Sequence, residues 1–300
     1  MLHHFHDSVH PIGQGSLSRH DFQLLIEYLK NNFHLIGARQ WHEQAIAGTL
    51  KDEICLSFDD GLACQYDIAL PVLTEIGIDA YWFIYSSVLE GEKEKLELYR
   101  HFRSTQFDEI DAFYDAFFQK IQDIPEYSEK VSIALNKFDH HSYLADYPFF
   151  SVMDKNFRYV RDKVLRPDAY HNVMSEMITQ YNYSVESNEL WVNAEKVKNL
   201  ESNGHIIGIH SHTHPTDLAA LPQKDQETEY QQNYDILQGI LSTPITSMSH
   251  PCSSYTNDTL TFLNSLGIKI GFRATMAYPE RKGLEYPRED HSNIMPLVKQ

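Results

Sequence analysis

Short apolar runs alternate with amphipathic stretches at both ends of the chain. Ser18 and Asp21 supply a helix-start signal, and the residues that follow carry apolar side chains at helical spacing. The pattern then predicts a buried strand at 53–58, a helix at 65–76 and a second strand at 80–85. A strand, a helix and a strand in this order are typical of two parallel strands joined by a crossover helix.

The same alternation returns in the C-terminal third of the chain. The pattern there predicts helices at 193–203, 223–241 and 258–266 and strands at 206–209, 245–248 and 268–272. Strands of this kind are single apolar runs, which is typical of a sheet buried on both faces. The sequence therefore predicts an α/β fold, with a parallel sheet or barrel covered by helices.

The pattern changes between residues 91 and 188. Aromatic-rich helical stretches such as 110–121 and 168–180 replace the strands, and the segment is not enriched in the Gly, Pro or Ser of a linker. We interpret residues 91–188 as a helical insertion, similar to a lid, within a single domain that covers residues 1–300.

Composition and charge restrict the classes of partner. The formal net charge of -17 argues against nucleic acid or an anionic membrane surface, because both need a basic face. The N-terminal residues lack the pattern of a signal peptide, and no run of 18 apolar residues is present. Three cysteines without metal-type spacing fit a reducing compartment. We expect a cytoplasmic protein with no membrane insertion.

Three histidines, His210, His212 and His214, occupy alternate positions where the apolar segment 206–209 ends. Neutral imidazole is a common ligand of zinc and similar ions, and the end of a strand is a usual place for a site. The alternative interpretation is that these are ordinary exposed or core histidines. We favour a metal site.

Two adjacent carboxylates, Asp59 and Asp60, follow the first strand directly and precede Gly61. Adjacent carboxylates repel each other, so one is stabilised by a cation while its neighbour stays free to accept a proton from water. The alternative is that one of them only caps the next helix. With Asp60, His210 and His214 as ligands and Asp59 as base, the site would hydrolyse an amide or an ester.

These residues resemble the polysaccharide deacetylases, which are the NodB-homology domains of carbohydrate esterase family 4. The first motif of that family is matched by Ser57, Phe58, Asp59, Asp60 and Gly61, and the second by His210, Ser211 and His214. The resemblance implies a distorted (β/α)7-type barrel with a helical insertion. It also implies that Asp59 is the catalytic base and that Asp60, His210 and His214 bind a divalent metal ion, for which we expect zinc.

The later motifs of the family are altered in this chain. The third motif lacks its usual arginine and is replaced by a segment similar to a Ser-Tyr-Pro-Tyr-Gly variant, with Pro251, Cys252 and Tyr255 as expected substrate-binding residues. The alternative is an ordinary loop. Arg288, in a closing Pro-Arg segment similar to that of deacetylases of surface-polysaccharide and O-antigen assembly, is expected to orient Asp59.

The general acid is not recognisable from a motif. His291 and His212 are candidates, although a supporting structural role is the alternative for each, and we expect His212 and His4 to lie around the site rather than in it. Within the insertion, Arg158 and Arg161 belong to a cationic helix face. Such faces are usually solvated, but guanidinium groups also suit a phosphate or carboxylate of the substrate.

The resemblance and the residues together predict a metal-dependent hydrolase that removes an N-acetyl group from an amino sugar. The expected substrate is a nucleotide-linked or lipid-linked precursor of surface polysaccharide, or a short glycan. One rival is a metal phosphoesterase of the polymerase-and-histidinol-phosphatase or amidohydrolase type, with His210 and His212 as ligands. A second rival is a non-catalytic relative that binds sugar.

Overall fold

The computed structural model describes residues 1–144, 151–278 and 281–299. The chain forms two compact units, one made of residues 1–94 and 186–300 and the other of residues 95–185. No helix within the described residues is both long enough and apolar enough to cross a membrane.

Strands and helices are numbered along the whole chain. The strands are β1 (His34–Leu35), β2 (Glu53–Ile54), β3 (Ser57–Asp59), β4 (Tyr81–Ile84), β5 (Ile206–Ile209), β6 (Ser247–Ser249) and β7 (Ile270–Phe272). The helices of the first unit are α1 (Arg19–Asn32), α2 (Ala38–Ala47), α3 (Leu70–Ile76), α9 (Ser187–Leu190), α10 (Ala194–Ser202), α11 (Gln223–Ile240), α12 (Asn257–Ser265) and α13 (His291–Val298).

One parallel sheet organises the first unit. Its strand order is β3-β4-β5-β6-β7, so each strand pairs with the next one along the chain. The sheet curls into a half-barrel with helices around it, which confirms the predicted α/β barrel-like fold. Because all five strands are parallel, their carboxyl ends meet at one edge.

The segment predicted as one strand at 53–58 is two strands. β2 pairs with β1 in a separate two-stranded sheet, whereas β3 pairs with β4. The apolar run alone cannot show this division, because the division depends on which partner each half of the run meets. The next predicted helix also has two parts, a π-helical turn at Gln65–Ala69 followed by α3.

Local signals set the ends of the helices. The side chains of Ser18 and Asp21 form a reciprocal capping box at the start of α1. Gly77, at the end of α3, adopts the left-handed conformation that favours glycine. The predicted helix boundaries follow these signals closely.

Aromatic side chains fill the space inside the half-barrel. Tyr81 and Phe83 of β4 contact Phe272 of β7, and Trp41 of α2 packs against Phe272 and Tyr286. This layer is buried and lies below the carboxyl edge of the strands.

The second unit is helical throughout its described residues. Its α-helices are α4 (Lys95–Gln106), α5 (Ile110–Gln122), α6 (Pro125–Asn136), α7 (Val152–Tyr159) and α8 (Pro167–Gln180), with a π-helical turn at Val160–Val164. Its own aromatic core includes Phe102, Phe113, Phe117, Phe157 and Tyr170. The unit therefore has the core of an independently packed helical body.

Candidate active site

The residues that follow the strands form a polar cluster at the carboxyl edge of the sheet. Asp59 ends β3, His210 follows β5, and Ser249 ends β6. Parallel strands bring such positions together even though they are far apart in sequence. This edge holds the catalytic and metal-binding residues that the sequence predicts.

Asp59 is buried and is held by Arg288 at both carboxylate oxygens. Arg288 Nη1 donates to Asp59 Oδ1 and Nη2 donates to Oδ2, each at 2.6 Å. Ser249 Oγ also donates to Asp59 Oδ2 at 3.3 Å. This two-point contact fixes the plane of the carboxylate.

The environment keeps the Asp59 carboxylate ionised. Burial alone would raise the pKa of Asp59, but the positive charge of Arg288, with a smaller effect of His210, holds that pKa well below its usual range. Asp59 can therefore accept a proton at neutral pH.

Asp60 lies between two imidazole rings. His210 Nε2 and His214 Nε2 each lie 3.5 Å from Asp60 Oδ1. The three candidate ligand atoms lie within 4.8 Å of one another. Asp60 Oδ1 is buried and has no hydrogen-bond partner in the described part of the chain.

A backbone carbonyl determines the tautomer of His210. His210 Nδ1 lies 2.8 Å from the carbonyl oxygen of Ser249, and because a carbonyl only accepts, Nδ1 must carry the proton. The lone pair of neutral His210 is then on Nε2, on the side of Asp60. Metal-binding histidines commonly have such a partner on the other ring nitrogen.

Backbone strain is concentrated in the same loops. Asp60, Ser211 and His214 have φ angles of 77°, 63° and 56°, in the left-handed region that non-glycine residues rarely adopt. Cys252 and Ser253, after β6, share this conformation with φ angles of 50° and 56°. Strain of this kind persists where the surrounding structure fixes the loop, as at a functional site.

Helix α11 supports the histidine loop, and the sequence reasoning missed this role. Asn233 Oδ1 accepts the backbone N–H of His210 at 2.7 Å, and Asn233 Nδ2 donates to the carbonyl of Ile84. Glu229 accepts the backbone N–H groups of His212 and Thr213. These contacts span 16 to 149 residues of sequence, so no local motif could reveal them.

The ring of His212 makes its contacts outside the Asp60 cluster. Its Nδ1 lies 3.0 Å from Ser86 Oγ, and its Nε2 lies 3.8 Å from Glu90 Oε2. His210 and His214 thus contact Asp60, whereas His212 is positioned by Ser86 and Glu90. This is the arrangement that the second motif of the resemblance implies.

The altered third motif forms a short turn after β6. Pro251 is buried, and the ring of Tyr255 stacks on His250 while its hydroxyl donates to Glu285 at 2.8 Å. The pKa of the Cys252 thiol is raised to about 11, first by burial and then by the negative charges of Asp60 and Asp59. Substrate binding by Pro251, Cys252 and Tyr255 stays a prediction.

His291 is not placed with the carboxylates. Its Nε2 donates to the carbonyl of Gly15 at 2.8 Å, and its Nδ1 lies 3.6 Å from Asp290 Oδ1. A ring nitrogen that already donates its N–H to a backbone carbonyl is a poor proton donor for a substrate. The proposed acid role of His291 has no support in this geometry.

His3, by contrast, lies beside the base. Its Nε2 is 4.0 Å from Asp59 Oδ2, and its Nδ1 is 3.7 Å from Asp290 Oδ2. The ring of His4 stacks with that of His3, with 6.2 Å between centroids. The sequence contains no local signal for His3 beyond the unusual run of histidines near the N-terminus.

Arg158 and Arg161 belong to the helical unit. Arg161 donates to both carboxylate oxygens of Asp162, with Nε to Oδ1 at 2.5 Å and Nη2 to Oδ2 at 3.0 Å, and its guanidinium lies over the ring of Phe157. This intramolecular pair already satisfies the guanidinium edge that we expected to bind substrate. Substrate binding by the two arginines stays a prediction.

Residues 171–271 match the family model described as polysaccharide deacetylase. The match covers 101 of the 300 residues, so the chain is similar to that family over this region. The matched region contains His210, His214 and the turn after β6, while Asp59 and Asp60 lie outside it. No curated protein matches the chain.

Several solved structures share the fold of this chain. IcaB from Ammonifex degensii has a TM-score of 0.56 at 14% identity, covering 99% of this chain and 94% of its own. The BpsB deacetylase domain from Bordetella bronchiseptica has a TM-score of 0.54 at 14% identity, with 96% and 93% covered. Streptococcus pyogenes deacetylase PplD, solved in complex with acetate, has a TM-score of 0.52 at 12% identity, with 96% and 89% covered.

Proposed function

We propose that this chain removes the N-acetyl group from an amino sugar of a surface-polysaccharide precursor, with a divalent metal ion bound by Asp60, His210 and His214. One observation carries the proposal. Three candidate ligand atoms converge within 4.8 Å, next to a buried carboxylate that Arg288 holds in its ionised form. The match of residues 171–271 to the polysaccharide deacetylase model supports it.

The residues present fit a metal ion. Asp60 Oδ1 is a buried oxygen without a hydrogen-bond partner among the described residues, and burial lowers the pKa of His214 to about 4, which keeps its imidazole neutral. Two imidazoles and one carboxylate are a donor set typical of catalytic zinc. When bound, such an ion polarises the acetyl carbonyl and makes water more acidic.

The remaining steps belong to the residues of the chain. Asp59 accepts the proton of the attacking water, since its carboxylate stays ionised and retains lone pairs beyond those used by Arg288 and Ser249. Arg288 and Ser249 keep the carboxylate from rotating. Asn233 and the Ser249 carbonyl keep His210 in one orientation.

We assign the protonation of the leaving amine to His3. Its ring lies beside Asp59, its side chain is 26% exposed, and Asp290 lies on its other side. Burial lowers the pKa of His3, and the negative charges of Asp60, Asp59 and Asp290 oppose that shift. A general acid must reach both the catalytic residues and the substrate. His3 combines contact with the base and partial exposure, whereas the ring of His291 is 7% exposed.

Acetate release tests the reaction. The wild-type protein, loaded with Zn²⁺, should release acetate from N-acetylglucosamine oligosaccharides or from nucleotide-linked N-acetylglucosamine. Asp59→Asn should lower kcat by about 10³-fold or more, because it removes the base but keeps the shape. A wild-type protein that binds these sugars and releases no acetate would support the non-catalytic rival instead.

Metal binding is tested separately by calorimetry with Zn²⁺. Asp60→Ala and His214→Ala should abolish tight binding, whereas His212→Ala should retain it. Loss of binding in His212→Ala with retention in His214→Ala would favour the phosphoesterase rival, which uses His210 and His212. Hydrolysis of 4-nitrophenyl phosphate, measured in parallel, should be absent.

The role of His3 has its own test. His3→Gln should lower kcat for the N-acetyl sugar by about 10²-fold, yet leave hydrolysis of 4-nitrophenyl acetate nearly unchanged, because nitrophenolate leaves without protonation. His10→Gln, at a more distant histidine that pairs with Asp67, serves as the control. Equal loss on both substrates would show that His3 only supports the structure.

A further inference from the structure

A cationic groove lies in the helical unit, formed by residues of α6 and of the segment between α7 and α8. The groove encloses a cavity of about 420 Å³ and is lined by Lys130, Ile133, Ala134, Lys137, Tyr159, Lys163, Val164, Leu165 and Arg166. Four of these nine residues are cations, and none is acidic. In a chain with a net charge of -17, this is a local reversal of charge.

Helical geometry explains one wall of the cationic groove. Lys130, Ile133, Ala134 and Lys137 are spaced three and four residues apart in α6, so they lie on one face of that helix. Two cations thus flank an apolar strip, and Ile133 in the strip is 50% exposed. The strip is apolar surface that α6 leaves in contact with water.

The opposite wall also carries two cations. Lys163 and Arg166 are exposed at the end of the π-helical turn and just before α8, while Val164 and Leu165 between them are buried. The ring of Tyr159 stacks on Phe138, with 4.0 Å between centroids, which holds Tyr159 in place at the groove.

Within the described residues, the four cations of the groove have no carboxylate partner. In the described part of the chain, no carboxylate lies within 4.0 Å of Lys130, Lys137, Lys163 or Arg166, in contrast with the Arg161–Asp162 pair nearby. Four positive charges around one cavity repel each other, and an anion between them would relieve the repulsion.

We infer that the cationic groove binds a small anionic amphiphile, in which a phosphate or diphosphate group is attached to an apolar chain. The cations meet the phosphate oxygens through charge-assisted hydrogen bonds, and the apolar chain covers Ile133 and the neighbouring Ala134. A cavity of this volume suits a small molecule. The overall negative charge opposes the approach of a nucleic acid or an anionic bilayer.

The inference is independent of the deacetylase reaction, although a lipid-linked glycan precursor would carry such a group. The groove lies entirely within residues 95–185, whereas Asp59, Asp60, His210 and His214 lie in the first unit. Binding can therefore be measured on the full chain with Asp59→Asn, which separates it from any turnover.

The test uses calorimetry with farnesyl diphosphate at about 0.15 M ionic strength, where distant charges are screened. We expect farnesyl diphosphate to bind at least about tenfold more tightly than inorganic diphosphate or farnesol, because only the whole molecule meets both parts of the groove. Lys130→Glu with Lys163→Glu should weaken this binding by about tenfold or more. Ile133→Ser should weaken the binding of farnesyl diphosphate but not that of inorganic diphosphate.

The matched control is Lys30→Glu with Lys224→Glu, which changes the net charge equally at exposed positions of α1 and α11. Circular dichroism and thermal unfolding check that each variant is folded. Equal weakening by the control pair, equal affinity for inorganic diphosphate, or binding only to vesicles rich in phosphatidylglycerol would each overturn the inference.

Discussion

The guanidinium of Arg288 uses all five of its N–H donors inside the protein. Nε donates to the carbonyl of Arg273, the Nη1 group donates to Asp59 and Ser57, and the Nη2 group donates to Asp59 and Ser249. Its charge lies over the rings of Phe83 and Phe272. A lysine ammonium group has three N–H donors on a single nitrogen, so it cannot make these five hydrogen bonds in one plane.

We therefore expect Arg288→Lys to lower kcat for acetate release by about 10²-fold with a small change in KM, because the base loses its fixed orientation. Initial rates on an N-acetylglucosamine oligosaccharide measure this effect. Arg19→Lys, in an exposed ion pair with Glu75, is the control and should have wild-type rates. A kcat near that of wild type in Arg288→Lys would contradict the orienting role.

The residues proposed to carry the chemistry were partly predictable. Asp59, Asp60, His210 and His214 stand in short motifs, and a strand end places each of them at the carboxyl edge. His3 and Asn233 could not be found in this way, since each is recognised only by contact with residues far away in sequence. The position of His291 was also beyond sequence reasoning, because its partner is the carbonyl of Gly15.

At the scale of elements, the buried side-chain amide of Asn233 forms hydrogen bonds from α11 to the backbone of the sheet and of the loop after it. Asn233 is fully buried and bridges the backbone of His210 after β5 and of Ile84 in β4. Its two hydrogen bonds thus fix the position of the histidine loop relative to β4.

Asn233→Ala should lower the free energy of unfolding by about 2–4 kcal/mol, because it leaves two buried backbone groups without partners. It should also weaken zinc binding, since the His210 backbone is released. Urea unfolding and calorimetry measure the two effects. The exposed neighbour Gln232→Ala should change stability by less than about 0.5 kcal/mol.

Glycine at position 208 permits close packing between β5 and its neighbours. A Cβ at this position would lie 2.6 Å from the ring of Phe83 and 2.8 Å from the carbonyl oxygen of Ser247. Gly208→Ala should therefore destabilise the protein by about 1–3 kcal/mol in urea unfolding. Gly239→Ala, with no atom within 4 Å of its new Cβ, should instead stabilise α11 by up to about 1 kcal/mol. Equal effects of the two substitutions would contradict the packing argument.

The existence and order of most elements followed from local patterns. Helix caps and short apolar runs are local, so α10 and β5 match their predicted spans within a residue or two. The separation of β2 from β3 and the π-helical turn before α3 arise from tertiary pairing and packing, which a linear pattern does not contain.

At the scale of the whole molecule, buried neutral histidines make stability depend on pH. Burial lowers the pKa of His205 to about 4, and its Nδ1 accepts the backbone N–H of Ala80. In the unfolded chain His205 has its ordinary pKa near 6.5. Between these two values the unfolded state binds more protons, so stability falls as the pH falls.

Wild-type protein should therefore lose about 2 kcal/mol more than His205→Gln in the free energy of unfolding between pH 7 and pH 5. Urea unfolding at the two pH values measures the difference. The exposed His34→Gln is the control and should behave like wild type. A pH dependence unchanged by His205→Gln would contradict the assignment.

The chain leaves the first unit after β4 and returns to it before β5. The residues next to these two points are in contact, since Ser187 Oγ donates to the carbonyl oxygen of Glu92 at 3.3 Å. β4 and β5 pair directly in the sheet, so the chain returns from the helical unit to the strand beside the one that it left. The strand order of the sheet therefore follows the chain as if the helical unit were absent. Asp59 and Asp60 come from the residues before the insertion, and His210 and His214 from the residues after it.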